Sequence, residues 1–218
     1  MQAGEIVDEI IDIIQDGSYD ADAILVMVNK AMGWVASKIL LPDLDMVGAV
    51  TTVTTGNVAP LPADFQRNLY RVAPRAVDAG TANKIKLYTS PGQLYWAYGS
   101  AAVDSVLWVT GAAQRGHSLL YAGIPSPAQV MDVFYYRKPV DMVSDADVPD
   151  GLPDDFHDIL VSRACFMLYS RIEDGVEGPH IDTKFHSSQV DIRMDELEKF
   201  VKHGVSLPPA PIVRGEFL

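Results

Sequence analysis

Gly151-Leu152-Pro153-Asp154-Asp155-Phe156-His157-Asp158 opens the stretch that decides the fold, an apolar helix followed, after a polar break, by a charged one. Pro153 restricts the chain ahead of a helix, and Asp154 or Asp155 is suited to accept hydrogen bonds from the first turn. Asp158 adds negative charge where the helix dipole favours it. Phe156, Leu160, Ala164 and Met167 recur at the spacing of one helical face. Ile159, Phe166 and Leu168 widen that face until little of the helix can stand in water, so other segments must cover it. After the break at 173–179, the last helix is expected from about Ile181 to Lys202. Val190, Met194, Leu197 and Val201 form its apolar stripe, with Asp191, Asp195, Glu198, Lys199 and Lys202 around it in water.

The partners for the core helix lie at the start of the chain. Ile6, Ile10, Ile13 and Ile14 share one side of a short amphipathic helix that ends at Gly17. A second helix follows, with Ser18, Asp20 or Asp22 as its N-cap and a stop at Leu41-Pro42. It carries two apolar rows: Leu25, Val28, Met32, Val35 and Ile39, and beside them Ile24, Met27, Ala31 and Trp34. This hairpin holds too much apolar surface to stand alone.

From Val47 the pattern changes. Val50–Thr55, Leu69–Val72, Ile85–Tyr88, Val106–Thr110, Leu119–Tyr121 and Val130–Tyr136 are short β-prone runs separated by Gly and Pro. Pro91–Tyr98 reads as a helix among them. Asp141–Gly151 is an acidic linker back to the helical part. The fold class is therefore α+β: a split α-helical domain of about four helices, an inserted small antiparallel β module and an extended C-terminal arm. The boundaries are 1–46 with 151–203 for the helical domain, 47–150 for the insert and 204–218 for the arm. In that arm Pro208, Pro209 and Pro211 favour an extended, polyproline-like path. Its apolar residues would gain by docking on a partner.

Charge narrows the function. The chain has 218 residues and a formal net charge of −12. Residues 1–46 hold nine acids and two bases, 47–150 eight of each, and 151–218 twelve acids and seven bases. An acidic surface repels phosphate, which argues against tight nucleic-acid binding through a basic groove. No apolar run is long enough for a membrane span, the N-terminus lacks a basic leader, and the single Cys165 fits a reducing compartment.

No catalytic or metal site is expected, and no cofactor. The chain has no Walker loop, dinucleotide fingerprint, zinc helix or nucleophile elbow. His117, His157, His180, His186 and His203 are too scattered for a ligand set. Cys165 reads as a small buried hydrophobe. Asp150, Asp154, Asp155 and Asp158 read as capping and dipole-compensating groups, with a calcium site or a hydrolase pair as the less favoured alternatives. Tyr95, Trp96, Tyr98 and Trp108 either line a sugar-binding surface or, the preferred reading, fill the core of the β module.

The order of these parts resembles the head-to-tail adaptor (connector, or head completion) proteins of tailed phages, particularly those with short tails. The residues that carry it are Asn29-Lys30-Ala31-Met32-x-Trp34, Leu61-Pro62-Ala63-Asp64-Phe65, Tyr135-Tyr136-Arg137-Lys138-Pro139, and Leu152-Pro153-Asp154-Asp155-Phe156 followed by Ala164 and Tyr169. The resemblance implies a structural virion protein of the neck, assembled in the host cytoplasm, that is not an enzyme and touches no membrane. It implies a homo-oligomeric ring of about twelve copies. That ring would join the portal protein to a tail or nozzle protein and extend a channel through which DNA passes without sequence-specific contact.

On that basis the arm residues Val205, Leu207, Pro208, Pro209, Pro211, Ile212, Val213, Arg214, Phe217 and Leu218 are expected to bind the portal or a neighbouring subunit. Asp191, Asp195 and Glu198 are expected to face the ring or its channel. The alternative is a virion-surface module that recognises host glycan through Tyr95, Trp96 or Trp108.

Overall fold

Gln15 adopts a left-handed conformation (φ 51°) and its N–H donates to the Ile11 carbonyl, which ends the first helix at Ile14, three residues before Gly17. The computed structural model describes residues 1–75, 85–173 and 181–204. In chain order its elements are α1 (Ala3–Ile14), α2 (Ala21–Lys38), β1 (Asp45–Thr51), β2 (Val58–Pro60), β3 (Phe65–Pro74), β4 (Lys86–Tyr88) and α3 (Pro91–Tyr98). There follow β5 (Ser105–Val106), β6 (Gly111–Arg115), β7 (Ser118–Tyr121), β8 (Ile124–Pro125), β9 (Val130–Arg137), α4 (Asp158–Ile172) and α5 (Ile181–Gly204). The fold is α+β. The chain divides into two compact units, Met1–Asp43 with Pro139–Leu218, and Leu44–Lys138.

In the first unit α4 packs against α1, α2 and α5. Ile159, Leu160, Val161, Ala164, Cys165 and Leu168 of α4 are buried, as are Ile6, Val7 and Ile10 of α1 and Ile24, Val28, Ala31, Met32 and Val35 of α2. Asp20 is the N-cap of α2, its carboxylate accepting from the Ala23 N–H at 2.8 Å. The expected stripe of α1 is shifted: Ala3 and Val7 are buried in it, whereas Ile13 is exposed. Trp34 lies under the Arg163 guanidinium, 4.3 Å from its ring centre, an arrangement that favours the cation over the π face.

The segment Asp141–Gly151, read from the sequence as a linker, is tied into the helical unit. Asn29 donates from Nδ2 to the Met142 carbonyl and accepts from the Met142 N–H, both at 2.9 Å. The Ala3 and Gly4 N–H groups donate to the carbonyls of Asp147 and Asp145 at 2.7 and 3.0 Å. These are orphan donors of the first turn of α1, and the returning chain satisfies them. Asp147 accepts in turn from the Val143 and Ser144 N–H groups, bonds that hold its carboxyl below the ordinary carboxylate range.

The second unit packs a three-stranded antiparallel sheet, β1-β9-β3, against a four-stranded sheet, β2-β7-β6-β4. Met131, Val133 and Tyr135 alternate inward along β9, the two-residue period of a half-buried strand. They meet Val50, Phe65, Val72, Leu119 and Tyr121 in one core. The pairing is not purely antiparallel, because β4 runs parallel to β6 and β5 parallel to β8. The expected strand at Val50–Thr55 begins earlier, at Asp45, and ends at Thr51, since β9 supplies partners only from Val130 to Tyr136. Of Val106–Thr110 only Val106 is in a strand.

Leu-Pro-x-Asp-Phe occurs twice and folds the same way twice. The Phe65 N–H donates to the Pro62 carbonyl at 3.0 Å, and the Phe156 N–H to the Pro153 carbonyl at 2.9 Å. In both turns the flanking Leu and Phe are buried. Proline sets the entry and the two apolar ends close over it. The first turn opens β3 and the second opens α4. Neither Asp154 nor Asp155 is a side-chain cap of α4: a short 3-10 turn over Asp154–Phe156 precedes it, and His157 stands between.

Candidate functional site

Steps of four and three place Asp191, Asp195 and Glu198 on one face of α5, and all three are exposed. Together with Met194 they line a cleft of about 330 Å³ whose other wall is Trp34, Lys38 and Ile39 at the end of α2. The acids do not form a bare negative ridge. Asp195 accepts from Lys199 Nζ at 2.5 Å and Glu198 pairs with Lys202 Nζ at 2.7 Å, each four residues on along the helix. Asp191 faces the region of Arg163, whose guanidinium burial pulls down and this carboxylate pulls up.

The clamp that holds this helix to α4 comes from a residue the sequence reading did not single out. Arg193 donates from Nε to Asp158 Oδ2 at 2.7 Å and from a terminal nitrogen to Oδ1 at 3.0 Å. It also donates to the Asp155 carbonyl and to Glu196, both at 2.5 Å, and lies over the Phe156 ring at 5.2 Å. The Asp154–Asp158 cluster is thus explained in part by α5: Asp158 is both a helix-start acid and one jaw of a bidentate pair. Its carboxylate partners raise the Arg193 pKa.

α5 also carries a second apolar row. Ile181, Phe185 and Ile192 recur at four and seven residues on the face opposite the buried Val190 and Leu197, and each is more than half exposed. The residues expected to act through the arm, Val205 to Leu218, lie outside the described residues.

Of the four aromatic residues that the preferred reading put in the core of the β module, Tyr98 packs against the cluster of Leu94, Ala113, Leu120 and Ala122, and the other three do not belong to the core. Tyr95 and Trp108 are 42% exposed and Trp96 is 91% exposed, so they are not core. α3 is a short helix, and Leu94 is its buried residue. Tyr98 lies over Gly111, where a Cβ would meet its ring at 2.7 Å, and its hydroxyl accepts from the Thr110 hydroxyl at 3.2 Å. Trp108 lines an apolar groove to which neither Tyr95 nor Trp96 contributes. They form no shared sugar platform there.

Among the described residues no group of His, Cys, Asp and Glu is arranged to hold a metal ion. His157 is fully buried, its Nε2 3.0 Å from the Leu152 carbonyl oxygen, and His186 stacks on Tyr169. Burial pushes the Cys165 thiol up to about 12, with Glu9 adding to the shift, so it is no nucleophile at neutral pH. No helix among the described residues is long and apolar enough to cross a membrane.

Residues 1–206 match the family described as SU10 adaptor protein. The chain belongs to the SU10 adaptor protein family. It is a phage adaptor protein, with a structural role between head and tail. No curated protein sequence matches it. In the adaptor, the matched span takes in both units, α5 with its acids and its second apolar row, and the first two residues of the arm.

Proposed function

We propose that the adaptor forms a ring at the virion neck that joins the portal to the tail and extends the DNA channel. The observation that carries this reading is the outward row Ile181, Phe185 and Ile192 on α5. A helix with apolar residues on two opposite faces has one face for its own core and one for a neighbour. A ring needs two different contact surfaces on each subunit, because its contacts are heterologous and close by rotation. The arm at 205–218 supplies a further contact, to the portal or to the next subunit. Repeated around a ring, weak contacts of this kind add up through avidity. The acidic balance suits a channel: carboxylates such as Asp191, Asp195 and Glu198 repel DNA phosphates, and the lysines beside two of them moderate that repulsion.

The test is to mix the purified chain with portal rings and image the complex by electron microscopy, with native mass spectrometry for copy number. The chain alone is expected to be monomeric or weakly associated, and to load on portal as a closed multimer. Ile192→Asp is expected to abolish multimer loading while leaving the circular dichroism of the monomer intact. Deletion of 205–218 is expected to remove most portal binding. Binding as isolated single copies, or full loading by Ile192→Asp, would refute the reading.

A further inference from the structure

The groove at Trp108 has walls from three separate segments of the β unit: Pro74 at the end of β3, Leu107 and Trp108 before β6, and Pro127, Gln129 and Val130 at the start of β9. Its volume is about 520 Å³. Leu107 is 74% exposed, and Trp108 and Val130 are exposed as well. Large apolar side chains are held in water here by hydrogen bonds in the backbone behind them. Gln129 accepts from the Val109 N–H at 3.2 Å and donates to the Leu107 carbonyl, so it brackets Trp108 on both sides. The main chain of Gln129 is locked to Thr52, its N–H donating to the hydroxyl and its carbonyl accepting the Thr52 N–H, both at 2.8 Å. On the far wall the Arg75 N–H donates to the Val130 carbonyl at 3.0 Å, and Arg75 pairs with Asp132 at 2.7 Å, which fixes Pro74.

The groove is therefore built before any ligand arrives, and its chemistry restricts the ligand. Among the described residues of its lining, the polar groups are the Gln129 amide, both ends of which are engaged, and the indole N–H of Trp108. A sugar needs several polar groups set to meet its hydroxyls, and the described walls are mainly apolar, with the Gln129 amide already engaged. A proline-rich segment needs what is present: an aromatic face and apolar ridges for its rings, with few N–H groups to satisfy. Such a segment lies in this same chain. Leu207-Pro208-Pro209-Ala210-Pro211-Ile212-Val213 follows three residues after the end of α5 at Gly204. At about 3.1 Å per residue in a polyproline path, the segment starts roughly 9 Å and ends roughly 28 Å beyond Gly204, so the groove that takes it must lie close to the end of α5 of the copy that gives it.

We infer that the Trp108 groove receives the segment Leu207–Val213 of a second copy of this chain. The placement on a second copy rests on the ring reading above, since groove and segment are two different surfaces of the kind a heterologous contact joins. Each copy then gives one arm and takes one.

The experiment uses the full chain carrying p-benzoylphenylalanine in place of Leu107, mixed at high concentration with unlabelled-probe chains grown in heavy nitrogen. After irradiation, mass spectrometry maps the cross-links. The expected products join position 107 of a light chain to residues 206–213 of a heavy chain. Their yield is expected to fall about tenfold with Pro208→Ser, Pro209→Ser and Pro211→Ser combined in the heavy chain, an affinity loss of the size a few apolar contacts carry. Trp108→Ala in the light chain is expected to lower it similarly with circular dichroism unchanged. Cross-links confined within one chain, cross-links to another segment, or a yield indifferent to the prolines overturn the inference. Multimer loading on portal without the expected cross-link sinks this inference alone. The cross-link without any multimer on portal sinks the ring reading alone.

Discussion

Replacing Arg193 tests whether α5 is held on α4 by one side chain. Arg193→Ala removes the bidentate pair to Asp158, the bond to the Asp155 carbonyl, the pair to Glu196 and the contact with the Phe156 ring. The side chains of Arg193 and Asp158 are 29% and 48% exposed, so solvent screens the Coulomb attraction and the pair belongs nearer the surface than the buried class. An ideal bidentate geometry at this exposure is worth about 1 kcal/mol, and the backbone bond and ring contact add about 0.5 kcal/mol each. The expected loss is therefore about 2 kcal/mol, with Arg193→Lys losing about 1 kcal/mol because an ammonium cannot make the fork. The assay is urea unfolding followed by Trp34 fluorescence in a Trp96→Phe, Trp108→Phe background, both replaced rings being exposed and outside the helical unit. A double-mutant cycle with Asp158→Ala is expected to give a coupling of about 1 kcal/mol. A coupling near zero, or an Arg193→Ala midpoint equal to the parent's, would refute the clamp.

Two further outcomes are expected. A Cβ at Gly48 would meet Pro62 at 2.7 Å and the buried Tyr135 ring at 2.9 Å, so Gly48→Ala overpacks the first Leu-Pro-x-Asp-Phe turn. Its cost is about 1–2 kcal/mol in thermal unfolding of the β unit, and an unchanged Tm would show that the turn yields freely. The Cys165 thiol, held up to about 12 by burial, favours the fold while it stays protonated. That stability is complete below the ordinary thiol value of 9.0 and is lost as pH rises from there toward about 12, because the unfolded chain gives up its proton first. Cys165→Ala is expected to lose stability less steeply than the parent above pH 9, by up to about 1.4 kcal/mol per pH unit, and equal slopes in denaturant melts would exclude the effect.

Helical periodicity made α1, α2, α4 and α5 legible, because each must bury one face and spacing records which. Asp20 was readable as a cap for the same local reason. The β unit was harder. β6 reads Gly111-Ala112-Ala113-Gln114-Arg115, with no β-branched or aromatic residue, and small residues are needed there because Tyr98 lies directly on Gly111. Propensity is blind to a strand chosen by its neighbour's bulk. Aromatic character alone favours a core position for Trp108, but Gln129 fixes the backbone on either side and leaves the ring at the surface. The acids of α5 follow from spacing. The outward row Ile181, Phe185 and Ile192 is equally periodic, but spacing alone does not say that a helix carries a second apolar face beside the one its own core buries. Arg193 carried no local signal, since its partner Asp158 lies thirty-five residues back.

The pairing of Asp45 with Tyr136 at one end of the β1–β9 ladder has a consequence for how such a protein varies. The β unit is entered and left through residues that face each other across two adjacent strands, about 5 Å apart. A cassette anchored this way can be lengthened, shortened or exchanged without moving the two points where the helical chain is cut. Residues 45–136 therefore begin and end at one paired position of the ladder. A short two-strand bridge in their place should leave the helical unit able to fold, and offers a docking position for a foreign domain at the same spot.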